Sequence, residues 1–347
     1  MRAAVIRAYG GTGRVVVEEV PRPRVQGPRD VVVALRAAAL NRLDLFVIGG
    51  LPGISHAFPH VVGADGAGVV EAVGSAVTRV KSGDRVMINP GLSCGECEQC
   101  LAGEQSLCPR FGVVGEHAPG TFAEAVRVPD TNVALLGGEV PWRAAAAFPL
   151  AAITAWRMVA TRAAVKPAET VLIWGIGGGV ALAALTCAKL LGARVMVTSS
   201  SDEKLERARA LGADVTINHA TADVGKEVRR LTEKRGVQVV VDSVGEKTWE
   251  TSLRCLARGG RLVTCGGTTG PMVTTDIRKL FWHGWTIMGS TMGSHAEFAR
   301  IAALFGRGEL QPVVDSVLPL AQVRDAFARM ERGDQFGKLV LSIGVEE

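Results

Sequence analysis

The sequence contains a single tyrosine among 347 residues and no stretch in which basic and aromatic side chains alternate. Nucleic-acid binding relies on such basic and aromatic surfaces, so DNA and RNA are not expected partners. The formal net charge of +5 is small for this length, and 21% of the residues are charged. These features favour a soluble globular protein with a small-molecule substrate, and an anionic ligand is compatible with them.

Long apolar runs are also missing. No segment approaches the roughly 20 uninterrupted apolar residues of a membrane-spanning helix. The most apolar stretch, residues 180–191, is interrupted by Thr186 and Lys189. The first 20 residues alternate apolar and polar side chains and lack the apolar core of a secretory signal. We therefore predict a cytoplasmic protein with no membrane partner.

The seven cysteines are an odd number, which in a reducing compartment argues for thiol ligands and buried thiols rather than disulfides. Four of them lie in the segment "PGLSCGECEQCLAGEQSLC", at Cys94, Cys97, Cys100 and Cys108. This spacing can bring four sulfurs around one tetrahedral Zn²⁺ ion, and four thiolates leave no coordination position open. We predict one structural zinc per chain; the alternative is four buried thiols without a metal.

The pattern of apolar runs and turn signals changes near residue 150. Residues 1–150 contain short apolar runs between turn signals, which predicts an antiparallel, barrel-like β domain. Residues 151–290 alternate strand-length and helix-length patterns, including a helix over 249–260 and a strand from 261, which predicts a doubly wound parallel sheet. Residues 291–347 supply helices and a closing strand that returns to the first domain. The predicted class is α/β.

A glycine-rich turn follows the first strand of the second domain, in "TVLIWGIGGGVALAALTCAKLLGARVMVTSSS". A strand, a glycine turn, a helix and a second strand within about 30 residues form the setting of a dinucleotide-binding site. The helix would begin near Gly179 and direct its positive end at a pyrophosphate. Val180 follows this turn, and the strict third glycine of the motif is absent. A tight turn without a ligand is the alternative. The predicted turn residues are Gly175, Gly177, Gly178, Gly179 and Val180.

The end of the second strand bears on the choice of cofactor. A carboxylate there would bind a ribose 2′-hydroxyl and repel a 2′-phosphate. This chain has Ser199, Ser200 and Ser201 instead, with Lys204 nearby as a cation. We predict a preference for NADP(H), with NAD(H) as the alternative. Ser200 and Ser201 are equally suited to cap the helix that follows.

Several motifs together resemble the medium-chain dehydrogenase/reductase superfamily, the zinc-type alcohol dehydrogenases and their quinone oxidoreductase relatives, over essentially the whole chain. They are "GADGAGVVEAVG", "KSGDRV", the four cysteines, "FPLAAITAW", the glycine turn, "VVVDSVG" and "GKLVL". The resemblance implies a GroES-like catalytic domain around a Rossmann-type cofactor domain, with the active site in the cleft between them. It implies that Lys338 approaches the cofactor phosphates, the alternative being a solvated lysine. His219 stands where quinone oxidoreductase relatives often have a tyrosine near the adenosine.

This sequence differs from the zinc-dependent members of the family at the positions of the catalytic zinc ligands. Zinc-dependent members hold a second, catalytic zinc through side chains at the positions of Asn41, Ala64 and Leu150 in this sequence. None of these three is a good zinc ligand, and Asp65 alone could not hold the ion. We predict that no catalytic zinc is bound. His56 or His60, nearby in sequence, could substitute as a ligand.

Without a metal, hydrogen-bond donors must stabilise the oxygen that gains charge during hydride transfer. We predict that Asn41 and Thr154 donate to it, and that Asp44 orients Asn41 or relays a proton, unless Asp44 is only a helix cap. Asp65 is expected to bond to the backbone. This arrangement favours quinones, enones and other activated carbonyls as acceptors. The alternatives are an alcohol dehydrogenase with a non-standard zinc site and an NADP-binding protein without turnover.

A strand-like segment over residues 284–291, "GWTIMGST", could extend the parallel sheet across a two-fold axis. We therefore predict a homodimer or a homotetramer.

Overall fold

The computed structural model describes residues 1–138 and 140–344. The chain divides into two compact units. Unit 1 comprises Met1–Leu150 and the residues from Gly293 onward, and unit 2 comprises Ala151–Met292. Within the described ranges, no helix has the length and apolar character needed to cross a bilayer.

The strands follow in chain order. They are β1 Arg2–Ile6, β2 Val16–Glu19, β3 Asp30–Ala39, β4 His60–Val61, β5 Asp65–Val73, β6 Arg85–Ile88, β7 Gly91–Leu92, β8 Gly112–Val113, β9 Ala125–Pro129, β10 Val133–Leu135, β11 Thr170–Ile173, β12 Arg194–Ser199, β13 Val215–Asn218, β14 Val237–Asp242, β15 Leu256–Thr264, β16 Thr286–Gly289, β17 Val314–Pro319 and β18 Lys338–Ser342.

The helices are α1 Arg42–Gly49, α2 Glu98–Leu101, α3 Trp142–Ala147, α4 Pro149–Trp156, α5 Gly179–Leu190, α6 Asp202–Ala210, α7 Val224–Leu231, α8 Glu246–Cys255, α9 Ile277–His283, α10 His295–Gly306 and α11 Val323–Arg332. A π-helical segment over Arg157–Arg162 follows α4. Short 3₁₀ turns occupy Thr12–Arg14, Gln105–Leu107, Asp130–Asn132 and Leu320–Gln322.

The main sheet of unit 1 has the strand order β10-β6-β5-β3-β18-β17, with β9 paired to β3. Strand β3 is antiparallel to β5, β9 and β18, and its last residue, Ala39, pairs with Asp65 on one side and Val340 on the other. The apolar side chains of β3 lie in a core shared with Phe122 and Phe327. The sheet register therefore brings the start of β5 and the start of β18 to the end of β3.

Unit 2 is built on a six-stranded parallel sheet in the order β13-β12-β11-β14-β15-β16. Its central strands are buried on both faces, which explains their continuous apolar sequences. The order reverses between β11 and β14, and the crevice beyond the carboxyl ends at such a reversal is where open α/β sheets bind ligands. The predicted α/β class, with a barrel-like β domain and a doubly wound parallel sheet, is confirmed.

One predicted boundary is wrong. The helix predicted over 249–260 ends at Cys255, and β15 begins at Leu256, whose backbone is extended. Leu256 is buried and pairs with Val237 of β14. Gly259 has a φ of +69°, which a helix does not accommodate. Sheet pairing therefore overrides the helical pattern of this segment.

The short helix α9 precedes the edge strand β16 and exposes large apolar side chains. Ile277, Phe281 and Trp282 are 64%, 67% and 69% exposed. Met272, just before this helix, is also exposed. Several large apolar side chains exposed side by side are unusual on the surface of a monomer.

Candidate functional site

The end of β3 places three buried polar side chains together in unit 1. Asn41 follows β3 as the N-cap of α1, Asp65 opens β5 and Lys338 opens β18. With Asp44 of the first turn of α1, these residues form what we call the Asp65 cluster. All four side chains are buried, and Asp65 is fully so.

Lys338 is the cation of this cluster. Its Nζ lies 2.8 Å from Oδ2 of Asp65 and 2.5 Å from Oδ1 of Asn41. The lysine side chain is only 4% exposed. The ammonium group is engaged by a buried carboxylate and an amide, and the phosphate contact expected for Lys338 stays a prediction. A buried ammonium requires such partners, and the motif "GKLVL" alone could not identify them.

The amide of Asn41 is also engaged. Its Nδ2 donates to Oδ2 of Asp65 at 2.9 Å and, at a longer 3.3 Å, to the carbonyl oxygen of Ala39. Its Oδ1 accepts from Lys338. In the structure the amide nitrogen therefore already has one strong and one weak acceptor, and its donation to the oxygen of an acceptor molecule stays a prediction.

Asp65 uses both carboxylate oxygens. Oδ1 accepts the backbone N–H of Leu150 at 2.8 Å, which is the backbone bond predicted for this residue, and Oδ2 accepts from Asn41 and Lys338. Ala64 offers no donor atom. A metal ion would have to displace Lys338 and would gain no thiolate or imidazole ligand. The donor set at these positions does not fit a catalytic zinc ion.

Asp44 caps the helix that Asn41 begins. Its Oδ2 accepts the backbone N–H of Asn41 at 2.7 Å. Burial raises the pKa of Asp44 to about 7, against the opposing effects of that hydrogen bond and of the charge of Lys338. Asp44 therefore orients the backbone of Asn41, and its carboxyl group changes protonation near neutral pH.

The histidines that could have replaced a ligand are engaged elsewhere. Nδ1 of His56 lies 2.9 Å from the hydroxyl of Tyr9, and its Nε2 bonds to the carbonyl oxygen of Glu116. Nε2 of His60 bonds to the carbonyl oxygen of Gly115, and burial lowers the pKa of this imidazole. Among the residues that the structure describes, neither histidine belongs to a group able to hold a metal.

The four cysteines do converge. The Sγ atoms of Cys94, Cys97, Cys100 and Cys108 all lie within 4.8 Å of one another. We call this group the four-cysteine lobe. Gly95 and Gly103 have φ angles of +77° and +83°, which allow the chain to turn back on itself. Backbone N–H groups of Glu96 and Cys97 lower the pKa of Cys94 to about 6. Four closely spaced thiols with a stabilised thiolate fit a tetrahedral zinc ion.

The glycine turn lies directly after β11. Gly175 and Gly177 have φ angles of +66° and +128°, and Gly178 is the N-cap of the 12-residue helix α5. No side chain caps this helix, and its first turn has no acidic residue. A Cβ added to Gly178 would meet no atom within 4 Å. The free space and the uncapped N–H groups at Gly178, Gly179 and Val180 fit an approaching pyrophosphate.

The carboxyl end of β12 carries the predicted serines. Oγ of Ser199 accepts the backbone N–H of Ser201, Ser200 is exposed, and Ser201 caps α6 by accepting from the backbone N–H of Lys204. His219 donates its backbone N–H to the carbonyl oxygen of Ser199, and its ring centroid lies 6.3 Å from that of Trp174. Ser199, Ser200 and His219 therefore lie together beside the glycine turn.

Thr154 lies on α4. Its hydroxyl donates to Sδ of Met292 at 3.7 Å, and a thioether sulfur is a weak acceptor. The hydroxyl group is thus held only weakly, and its donation to the acceptor oxygen stays a prediction.

Sequence reasoning missed the contact between Lys338 and Asp65, and the role of the backbone of Leu150. Both depend on strand pairing between distant segments. A lysine at the start of an otherwise apolar strand, in "FGKLVL", was the available signal, since a strand buried on both sides rarely tolerates an unpaired charge.

Two protein-family models match the chain. Residues 27–138 match the alcohol dehydrogenase GroES-like domain, and residues 179–307 match the zinc-binding dehydrogenase domain. An alcohol dehydrogenase of Geobacillus stearothermophilus is 31% identical over 99% of this chain and 100% of its own. A quinone oxidoreductase of Pseudomonas aeruginosa is 34% identical over 96% of this chain and 97% of its own. The crystal structure of an NAD-dependent alcohol dehydrogenase, 45% identical, has a TM-score of 0.94 and covers 99% of this chain and 100% of its own.

Proposed function

Since the chain belongs to the zinc-type alcohol dehydrogenase family of the medium-chain dehydrogenase/reductase superfamily, we propose that it is an oxidoreductase that transfers hydride from NAD(P)H to quinones, enones or activated carbonyls without a catalytic zinc ion. The observation that carries this proposal is the Asp65 cluster. The resemblance matches the family's metal ligands to Asn41, Ala64 and Leu150, and the ammonium group of Lys338 bonds to Asn41 and Asp65 there.

The type of acceptor follows from the chemistry. An unactivated alcohol must lose a proton with a high pKa before hydride can leave, and a metal ion is the usual means of lowering it. Hydrogen bonds stabilise a developing oxyanion less strongly than a metal does. In a quinone or enone, conjugation already spreads the negative charge over several atoms. A metal-free site is therefore better matched to reduction of conjugated acceptors.

For the cofactor, we propose NADP(H) in preference to NAD(H). The support is the absence of a carboxylate at the end of β12, where Ser199 and Ser200 stand. A carboxylate at this place would repel a 2′-phosphate. The name of the 45% identical relative specifies NAD for that protein, so the choice needs a direct measurement with both cofactors.

We further propose that the four-cysteine lobe binds one zinc ion that is structural. The thiols would fill all four coordination positions, and the ion would hold together a segment with little apolar core of its own.

The second candidate function is alcohol oxidation at a zinc ion bound by an unusual ligand set. It is favoured by the similarity to proteins named alcohol dehydrogenases. The deciding experiment combines zinc content with a substrate panel. One zinc per chain, with NADPH oxidation by a quinone or enone, supports the first function. Two zinc ions per chain, with oxidation of primary or secondary alcohols, supports the second. Cofactor binding without turnover of any substrate would favour a non-catalytic protein.

We also propose that the chain forms a homodimer or a homotetramer through the edge of the unit 2 sheet. The support is the edge position of β16 together with the exposed apolar side chains of α9. Light scattering after size exclusion would measure the oligomeric state. Replacement of Phe281 by Glu should shift it towards the monomer.

A further inference from the structure

The positions that hold the metal in zinc-dependent relatives are linked in this chain through one carboxylate. Asp65 bonds to the side chain of Asn41 and to the backbone of Leu150, and Ala64 precedes it in sequence. The cation bound to this carboxylate is the ammonium group of Lys338. An ammonium–carboxylate pair, bonded to the amide of Asn41, therefore occupies the place where these positions meet.

We propose that Lys338, by donating to Oδ1 of Asn41, strengthens the amide of Asn41 as a hydrogen-bond donor to the acceptor oxygen, and so takes over part of the role that the metal has in zinc-dependent relatives. This inference rests on the proposed function and identifies a further residue for it. Because Lys338 is buried, it is a positioning residue, and Asn41 is the group that touches the acceptor oxygen.

The hydrogen bonds of Asn41 give the reason. Lys338 donates to Oδ1, which fixes the amide with Nδ2 directed away from the ammonium group. One N–H is held at 2.9 Å by Asp65, while the bond to the carbonyl oxygen of Ala39 is long at 3.3 Å. The second N–H can exchange this weak acceptor for a more negative oxygen. An ammonium group bonded to the amide oxygen polarises the amide and strengthens it as a donor.

The atoms and electrons of the chemical step are accounted for without a metal ion. Bound NAD(P)H would supply the hydride, its C4–H bond being exchanged for a new C–H bond at the electrophilic carbon of the acceptor. The π electrons of that carbon move to the carbonyl oxygen, directly or through the conjugated system. The oxygen accepts the N–H of Asn41 while it is negatively charged, and a proton from water then neutralises the product.

The test uses double variants in which both partners of an ion pair are replaced, because Lys338→Met alone leaves Asp65 buried without a counter-ion. In Lys338→Met/Asp65→Asn both charges are removed and the volumes are nearly kept. The control is Arg29→Met/Asp130→Asn, which removes another ion pair of unit 1 whose carboxylate is buried. Lys338→Arg keeps the charge. The acceptor is the quinone or enone with the highest turnover by the wild-type protein, at saturating NAD(P)H.

We expect kcat of the Lys338→Met/Asp65→Asn variant to fall about 100-fold, as on loss of one positioned donor. The KM for NAD(P)H should change less than about threefold, and Lys338→Arg should recover kcat to within about tenfold of the wild type. The control pair should keep wild-type kcat. A double variant with wild-type kcat would overturn the inference. So would a rise in the KM for NAD(P)H with kcat retained, because Lys338 would then serve the cofactor phosphates.

A binding measurement separates this inference from the proposed function. The coloured anion of 2-hydroxy-1,4-naphthoquinone mimics the negatively charged oxygen, and its binding in the presence of NADP⁺ needs no turnover. We expect the double variant to bind it at least about tenfold more weakly than the wild type. Lys338-dependent binding without turnover of any acceptor would contradict the proposed function alone. Equal binding by the wild type and the double variant, or binding by neither, would overturn the inference.

Discussion

The ammonium group of Lys338 lies 2.8 Å from Oδ2 of Asp65, and the two side chains are 4% and 0% exposed. A buried ion pair is costly to break from one side, because the remaining charge is left without compensation. The stability of unit 1 therefore depends on keeping both charged side chains or replacing both.

This pair gives the first prediction. Asp65→Asn should lower the free energy of unfolding by about 3 to 5 kcal/mol, because Lys338 remains buried without its carboxylate. The double variant Lys338→Met/Asp65→Asn should be more stable than Asp65→Asn alone. Urea denaturation followed by circular dichroism measures both. A double variant less stable than the single variant would show that the pair is not the main partner of each charge.

The four-cysteine lobe gives the second prediction. Cys108→Ser should reduce the zinc content from about one ion per chain to well below that value, because the fourth thiolate of a tetrahedral site is lost. Elemental analysis by mass spectrometry measures the zinc. Cys187→Ala is the control, since this thiol is buried on α5 of unit 2 and is not one of the four. Full zinc retention in Cys108→Ser would contradict the assignment.

The third prediction concerns the glycine turn. Gly178→Ala should lower thermal stability only slightly, because alanine is a poorer N-cap than glycine but Gly178 has an ordinary φ of −79° and open space at its Cβ position. The same methyl group should weaken NAD(P)H binding by about tenfold, since it occupies the approach of the pyrophosphate to the helix N-terminus. Fluorescence titration measures the dissociation constant. Gly306→Ala, which also has open space at the end of α10, is the control. Wild-type affinity in Gly178→Ala would place the phosphates elsewhere.

The fourth prediction concerns cofactor choice. Ser200→Asp should raise the KM for NADPH by about tenfold or more and change the KM for NADH little, because the new carboxylate repels a 2′-phosphate. Ser200→Asn keeps the size without the charge and should behave like the wild type. Steady-state kinetics with each cofactor gives the comparison. Equal effects on both cofactors would contradict a 2′-phosphate beside residue 200.

The fifth prediction concerns pH. Burial raises the pKa of Asp44 from 3.8 to about 7, so the folded protein holds a proton that the unfolded chain releases. The resulting stabilisation is complete below about pH 4 and is lost as the pH rises through about 7. Asp44→Asn removes this dependence. Its stability relative to the wild type should therefore increase from pH 4 to pH 7.5, by up to about 4 kcal/mol.

Urea denaturation at several pH values checks the sign of this effect. Asp325→Asn, on the exposed face of α11, is the control and should run parallel to the wild type. A difference between Asp44→Asn and the wild type that is constant with pH would mean that Asp44 is ionised throughout.

The parts of the molecule that were predictable from the sequence depend on neighbours in the chain. The four cysteines lie within one short segment, and the glycine turn lies between a strand and its own helix, so spacing alone indicates their geometry. The alternation of strands and helices in unit 2 likewise predicts the parallel sheet.

The remainder depends on contacts between distant segments. Asn41 and Lys338 are 297 positions apart, and only the pairing of β18 with β3 brings them together. The partners of the Asn41 amide are therefore not visible in the local sequence. The wrong boundary of α8 has the same origin, because the register of Leu256 with Val237 is a property of the sheet.

The position of β18 beside β3 has a consequence during synthesis on the ribosome. Asn41 and Asp65 emerge early, and the ammonium group that neutralises the carboxylate emerges only after unit 2 has been translated. A nascent chain that stops before residue 338 carries an uncompensated acid and an unfilled position between β3 and β17. Prematurely terminated products should therefore be recognised and degraded by cellular proteases, while the completed polypeptide escapes them.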